Sequence, residues 1–491
     1  MAAENLPGVS GMSLYVPPFR VRLSDWCAWT GNSWDKVKAV VGHEFRVCGR
    51  HENVYTMAAN AALRLILQNQ LDPQRIGFLG LGTESSTDNA AGAVIVRGML
   101  DRALESLGMP RLARNLEVPE FKHACLGGIY GLKNALRYVA CDGRDRQAIV
   151  VSADVAEYER GSSGEQTQGA GAVAMLVESK PRLFEVDLYH SGSASDYRGP
   201  DFRKPFARHF AEGYAAKTTR PNDFPVFSGE YSTYSYIDET VQAVEDMLRR
   251  LEVSAGSYYR SVQSLFFHRP YHLMPVRAMS FLYVRGLARG DHHQDELAEL
   301  CAEAGVSPAD VLHEAATAPD LYAHVLQGNI TADPYVKTSA VAAVLRKRAG
   351  FRELLAQKMS LGSDTVKSLG NLYSAALPAW IAAGLEEGAE RKLPLAETNM
   401  VAVGYGSGDA AEAIPISPVH GFEHAASRMH IRQALERAVD LTQEQYESLH
   451  DHRELAGVDY APQDEFVISR VGTVYESGFQ DLGVEYYEYI R

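Results

Sequence analysis

One cysteine, set between an extended segment and a helix, is the first place in this 491-residue chain where chemistry can be read. In Pro119-Glu-Phe-Lys-His-Ala-Cys125-Leu-Gly-Gly-Ile-Tyr-Gly131 the cysteine precedes two glycines, after which Ile129, Leu132, Ala135, Leu136 and Val139 recur at helical spacing. Cys125 is thereby expected at or just before a helix N-terminus, whose unpaired N–H groups favour a thiolate. The thiolate is the nucleophilic form, and the neighbouring glycines let a substrate carbonyl come close. A buried, inert cysteine fits this stretch alone equally well. A carboxylate joins it: Ile76-Gly-Phe-Leu-Gly-Leu81 reads as a buried strand, which leaves Glu84 of Gly82-Thr-Glu-Ser-Ser-Thr-Asp88 at a strand's C-terminal end, where α/β proteins place working groups. His268 closes the apolar run Ser264-Leu-Phe-Phe in the same way. A nucleophile, an acid/base and an imidazole in such positions make a stronger case together than any does alone.

The elements that must position them follow one scheme, in which apolar strands end in polar residues and glycine-rich turns feed helices. Val9 to Tyr15 opens as a strand before Pro17-Pro18, and Tyr55 to Gln70 carries Ala58, Ala61, Ala62, Leu65 and Ile66 on one helical face. A strand over Ala148 to Ser152 ends at Asp154, and Ala170 to Val177 with the alternating Leu183 to Tyr189 gives a hairpin-like close to the first half. His190 to Phe227 reads as a long ordered loop over a site. A helix through Val241, Val244, Met247, Leu248 and Leu251 follows, and residues about 286 to 365 read as an inserted, charged helical region with Ser307-Pro308 as one helix start. Ser368 to Ser374 opens an apolar helix, Asn399 to Val403 a strand, and the turn Gly404-Tyr-Gly-Ser-Gly408 is expected to aim N–H groups at an anion or oxyanion. The recurrence of the scheme predicts an internal duplication.

Composition narrows the function classes. With 46% hydrophobic and 22% charged residues the chain is ordinary globular protein, long enough for two large units. A formal charge of −14 offers nothing to nucleic acid or an anionic membrane surface. Five cysteines (Cys27, Cys48, Cys125, Cys141 and Cys301), without a CxxC pair, suggest neither a disulfide framework nor a cysteine metal site and fit a reducing cytoplasm. Asp291, His292, His293 and Asp295 read as a solvated helix start, and no metal is assigned. No apolar run reaches bilayer length, so a soluble, unexported protein is expected.

Taken in order, the stretches around Glu84, Ala124-Cys125-Leu-Gly-Gly128, Ser152-Ala-Asp-Val-Ala-Glu-Tyr158, Thr167-Gln-Gly-Ala-Gly-Ala172, Phe267-His-Arg-Pro-Tyr271, Gly370-Asn-Leu-Tyr373 and Gly404 to Gly408 resemble the motifs of the 3-hydroxy-3-methylglutaryl-CoA synthases. The resemblance spans nearly the whole chain, including Phe224 to Gly229 and Glu465 to Val471. It implies an α/β thiolase fold, a duplicated layered α-β-α-β-α architecture with a helical insertion at about 286–365. One half would be 9–190, carrying Glu84 and Cys125, and the other 191–491, carrying His268. It further implies a cytoplasmic homodimeric acyltransferase of the mevalonate pathway, acting on acetyl-CoA and acetoacetyl-CoA without a metal or redox cofactor. Cys125 would take the acetyl group, Glu84 would move protons at the acetyl methyl and the new alcohol, and His268 would anchor the acetoacetyl thioester. Tyr158, Thr167, Asn371 and Ser407 resemble substrate-binding positions, and the Cys125 N–H with the Gly406-Ser407 turn would form the oxyanion site.

One departure bears on the acyl carrier. Family members that use CoA often carry a phosphate-binding lysine five residues beyond the histidine, where this chain has Leu273, with Met274 beside it. Synthases that branch polyketides on an acyl-carrier protein also lack that lysine. Arg269, Arg277 or Arg285 could take the phosphate instead, and Arg249, Arg250, Arg260, Arg269, Arg277 and Arg285 are the candidates for a basic patch that docks a carrier protein. The alternatives to a CoA-dependent synthase are thus a carrier-protein synthase, a ketoacyl synthase and a non-catalytic partner of the same fold. The ketoacyl synthase normally pairs its Cys with His and Asn, and a non-catalytic partner would need Cys125, Glu84 and His268 disarmed.

Overall fold

The uninterrupted apolar runs pair into one mixed sheet, ten-stranded among the described residues and buried on both faces as such runs require. The computed structural model describes residues 6–86, 91–201, 203, 224–226, 228–290, 293–453, 457–458 and 460–491. Thr87 and Asp88, most of the stretch from 202 to 223, Phe227, Asp291 and His292 lie outside the described residues.

The strands are β1 (Gly8–Tyr15), β2 (Ile76–Gly82), β3 (Glu120–Phe121), β4 (Gln147–Ala156), β5 (Gly169–Glu178), β6 (Phe184–Val186), β7 (Gly192–Ser195), β8 (Ser264–Phe267), β9 (Met400–Gly406) and β10 (Ala410–Pro418). Their order is β8-β9-β10-β6-β1-β5-β4-β2-β3, with β7 also paired to β10. The duplication is visible in the topology. In the first half β2 runs parallel to β4, which turns back antiparallel into β5; in the second, β8 runs parallel to β9, which turns back antiparallel into β10. The two sets meet where β1 pairs with β6, so β6, expected with the first half, lies beside β10 of the second.

Two expectations need correction. Gly192–Ser195, within the stretch expected to be loop, is strand β7, because its small side chains let it lie beside Ala410 to Ala413 and under a helix: a Cβ on Gly192 would stand 2.1 Å from the Ala243 carbonyl oxygen. The second concerns β9, which runs on through Tyr405 to Gly406, so only Ser407 to Asp409 turn.

Helices α1 (Val54–Gln68), α2 (Gly92–Ser106), α3 (Gly127–Ala140), α4 (Glu230–Arg250), α5 (Met274–Arg289) and α6 (Ala376–Glu390) pack on the sheet or on one another. Asn53 starts α1 with a capping box: its side chain accepts from the Tyr55 and Thr56 N–H groups while the Thr56 hydroxyl accepts from the Asn53 N–H. The apolar face of α1 then buries Ala58, Ala61, Ala62, Leu65 and Ile66 with the side chains of β2, β4 and β5, while α3 places Ile129, Leu132, Leu136 and Val139 in a second core with α4, α5 and α6. Between α5 and α6 the chain forms further helices, at Gln294–Ala304, Pro308–Ala315, Leu321–Leu326, Val336–Leu345 and Ala349–Lys358. Among the described residues no helix is long and apolar enough to cross a membrane.

Candidate active site

Three strand ends converge on Cys125. β2 stops at Gly82 and releases Thr83-Glu84; β3 stops at Phe121 and leads through Ala124 and Cys125 into α3; β9 stops at Gly406, beside the Cys125 loop. The contacts are backbone to backbone. A Cβ on Gly82 would lie 2.4 Å from Gly128 Cα, and one on Gly406 would lie 2.6 Å from the His123 carbonyl oxygen. Only glycine permits either approach. Ala124, at φ 42°, takes the left-handed conformation that swings the next side chain out of the strand direction.

As a result Cys125 Sγ lies 3.1 Å from Glu84 Oε2, its thiol donating to the carboxylate. Asp154, at the end of β4 and fully buried, holds the Glu84 loop in place. It accepts from the Thr83 hydroxyl (3.0 Å), the Glu84 and Ser85 N–H groups (2.8 Å each), the Ser85 hydroxyl (2.6 Å), and the N–H and hydroxyl of Ser374 (3.0 and 2.5 Å). The sequence marks Asp154 only as the polar end of an apolar strand; what it fastens comes from residues 70 and 220 positions away.

The helix-start argument predicts a lowered thiol pKa, and the structure reverses it. Burial, then the negative charge and hydrogen bond of Glu84, push the Cys125 thiol well above its ordinary value. Cys125 stands two residues ahead of α3, where burial, Glu84 and, more weakly, Asp154 all disfavour its thiolate. The resting sulfur is therefore the thiol, its hydrogen bond directed at Glu84.

Cys125 opens onto a cavity of about 260 Å³ whose wall includes Tyr158, Thr167, His268, Asn371 and Ser407, all anticipated from sequence, together with Tyr236, Tyr271, Met274, Tyr373 and Tyr405, which were not. Glu84, half-buried, reaches the cavity through Cys125. His268 is held by its backbone, which donates to the Val403 carbonyl (2.7 Å) and accepts from the Tyr236 hydroxyl (2.8 Å). Burial lowers its ring pKa to about 3, so the imidazole is neutral, and Nδ1 has no partner among the described residues. A neutral ring can donate one hydrogen bond to a carbonyl without adding charge. Asn371 accepts from the Tyr373 N–H at 2.9 Å, and the Thr167 hydroxyl donates to the Gly164 carbonyl at 2.8 Å. Gly406 is strand rather than turn and is not on the cavity wall; Ser407 is.

Four of the six arginines expected to meet a carrier protein, Arg285 among them also a phosphate candidate, are engaged by carboxylates: Arg249 and Arg250 by Asp246, Arg260 by Glu296 and Arg285 by Glu245. Arg269 is buried over the Trp380 ring and donates to the Ser363 carbonyl. Arg277, exposed on α5, has no carboxylate partner among the described residues. Among those residues, no cluster of His, Cys, Asp and Glu is arranged to hold a metal ion.

Residues 4–181 match the family model for the hydroxymethylglutaryl-coenzyme A synthase N-terminal region. The hydroxymethylglutaryl-CoA synthase of Haloferax volcanii is 26% identical over 438 residues, covering 88% of each chain. Among solved structures, MvaS in complex with 3-hydroxy-3-methylglutaryl coenzyme A superposes with a TM-score of 0.74 at 22% identity, covering 99% of this chain and 100% of that one. The curacin-pathway HMG synthase in complex with acetyl donor-ACP superposes with a TM-score of 0.69 at 19% identity and the same coverage. These two likenesses show the fold.

Proposed function

We propose that the chain is a member of the hydroxymethylglutaryl-coenzyme A synthase family and that it joins acetyl-CoA to acetoacetyl-CoA, with water, giving 3-hydroxy-3-methylglutaryl-CoA and free CoA. The observation that carries this reading is the 3.1 Å contact between the Cys125 thiol and Glu84 at a cavity that also presents a neutral imidazole.

Each step can be assigned to a group. The Cys125 sulfur attacks the acetyl thioester, and CoA leaves as thiol, taking up the proton that the Cys125 thiol gives up. Glu84 then takes a methyl proton from acetyl-Cys125, which its thioester makes acidic. The enolate carbon forms a bond to the ketone carbon of the acetoacetyl group, and Glu84 returns the proton to the new alkoxide. Water finally cleaves the Cys125 thioester, freeing the product carboxylate. His268 donates to the acetoacetyl carbonyl; Tyr158, Thr167, Asn371 and Ser407 shape and bind the acyl groups; and the Cys125 N–H supports developing oxyanions. The sequence balances without an electron carrier, and we assign no cofactor.

CoA is the carrier we favour, with Arg277 the available cation for its phosphate in place of the lysine missing at Leu273. A carrier-protein substrate is the second reading, favoured by that missing lysine. We also place the enzyme in the cytoplasm as a homodimer, with the short edge strand β3 offering the sheet edge for continuation into a second copy.

Incubation with labelled acetyl-CoA followed by digestion tests the reading. Label is expected on the Cys125 peptide and should be discharged as hydroxymethylglutaryl product by acetoacetyl-CoA; absence of label there would refute it. Comparison of kcat/KM for CoA-bound and carrier-bound acetoacetyl groups decides the carrier.

A further inference from the structure

We propose that Tyr446 is a positioning residue that sets acyl-chain selectivity at Cys125: its hydroxyl, bonded to Gln168 and Glu165, fixes the loop that holds the Tyr158 ring beside the nucleophile. The inference rests on the synthase reading for the acyl group, but not for the loop itself.

Between β4 and β5 the chain runs from residue 157 to 168, and four residues of this loop, Tyr158, Ser163, Gly164 and Thr167, lie on the cavity wall. Tyr158 is buried in a small cluster with Cys125, Ala156 and Tyr373, the two tyrosine rings 6.4 Å apart at 80°. Gly164 lies directly against the Tyr158 ring: a Cβ there would stand 2.6 Å from Tyr158 Cδ1. A carbon added to the acyl group on Cys125 crowds this cluster, and the ring gives way only if the loop behind it moves.

What holds the loop is a hydrogen-bonded chain with one possible direction. The Tyr158 N–H can only donate, so the Gln168 atom 2.9 Å from it is the amide oxygen, and the amide nitrogen is left to donate to Tyr446 Oη, also at 2.9 Å. A phenol has one proton, and Tyr446 gives it to Glu165 Oε1 at 2.8 Å, while Glu165 Oε2 accepts from the Gly161 N–H at 2.7 Å. Both ends of the loop and its middle are thus tied to one hydroxyl. Gln168, Glu165 and Tyr446 are all buried, so a partner lost here is not replaced by bulk water.

The hydroxyl is fixed in turn because its ring belongs to a different core. Tyr446 lies on the helix Gln443–His450, stacked on Trp29 with centroids 6.3 Å apart and edge-on to Phe45 at 5.8 Å, among Phe19, Val21, Trp26 and Leu449. One turn further along, His450 Nε2 donates to the Tyr158 carbonyl at 2.8 Å, and Arg160 pairs with Asp451 at 2.8 Å. The loop also steadies the opposite wall, since the Asn371 N–H donates to the Thr167 carbonyl at 3.1 Å.

The test compares Tyr446→Phe and Gln168→Met with the native full-length chain. Phenylalanine keeps the ring in its core and removes only the hydroxyl; methionine keeps the length of Gln168 and removes both of its side-chain hydrogen bonds. Labelling of Cys125 is followed with acetyl-CoA and with propionyl-CoA, and each variant should lower the acetyl-over-propionyl ratio of kcat/KM by about tenfold. A merely destabilised fold would slow both donors alike, so an unchanged ratio in either folded variant would overturn the proposal. Hydrogen exchange at the Tyr158 amide gives the second readout. In Tyr446→Phe, where Gln168 still faces that N–H, exchange should quicken by about 100-fold, and native protection there would also overturn the proposal. If the native chain takes no acyl group from either thioester, the synthase reading fails while the exchange comparison still decides the loop.

Discussion

Asp154 and Asp409 occupy related places, one at the end of a strand of the first half and the other just beyond β9 in the second, yet their surroundings are opposite. Asp154 accepts six hydrogen bonds from Thr83, Glu84, Ser85 and Ser374. Asp409 has the Tyr405 hydroxyl, shared with Asp201, and its neighbour's N–H, and an oxygen without a donor among the described residues. A buried carboxylate with all its lone pairs met is a rigid fastener, whereas one short of donors keeps a proton. The contrast separates what fixes the Glu84–Cys125 geometry from what lies behind Tyr405 on the His268 side of the cavity.

The largest effect should come from the group that Asp154 positions. Glu84→Ala removes the base for carbon–carbon bond formation, and condensation should fall by about 10,000-fold, roughly 5.5 kcal/mol of barrier, while Cys125 still takes label from acetyl-CoA. Loss of acetylation in a folded Glu84→Ala protein would contradict this division of labour. Next, Asp154→Ala strands several buried donors, and urea denaturation should show a loss of about 3–5 kcal/mol. Asp409→Leu removes a buried carboxyl that is poorly served, so the same measurement should move by less than about 1 kcal/mol; equal losses at the two positions would erase the contrast.

A pH measurement sharpens the first half further. The Glu84 charge raises the Cys125 pKa, so Glu84→Gln should lower it, and alkylation of Cys125 at neutral pH should become faster, not slower. The smallest change is expected at His268. With its pKa lowered to about 3, its ring resonances should stay fixed between pH 8 and 5.

Much of this site was legible before the fold was known. Cys125, Glu84 and His268 each sit where an apolar strand ends or a helix begins, and periodicity alone locates such places. The sign of the Cys125 shift was not legible, because it depends on a carboxylate brought from 41 residues away rather than on the helix that follows. Strand β7 was hidden by its composition: Gly-Ser-Ala-Ser reads as loop unless the sheet beside it is seen. Asp409 stands among glycines and alanines that give no periodic signal, and the Tyr405 hydroxyl it meets is shared with Asp201, 208 positions earlier.

The glycine contact between β2 and α3 carries one more consequence. Because the spacing of nucleophile and base is fixed by main chain meeting main chain at Gly82 and Gly128, it is insulated from the choice of side chains lining the acyl chamber. Met274 and Tyr271, carried at and just before the start of α5, can be recut without retooling the chemistry. Enlarging Gly128 to alanine would do the reverse, since its new methyl would stand 2.0 Å from the Ser152 hydroxyl. Selectivity for acyl chain length and the capacity to react are therefore separately adjustable traits of this scaffold.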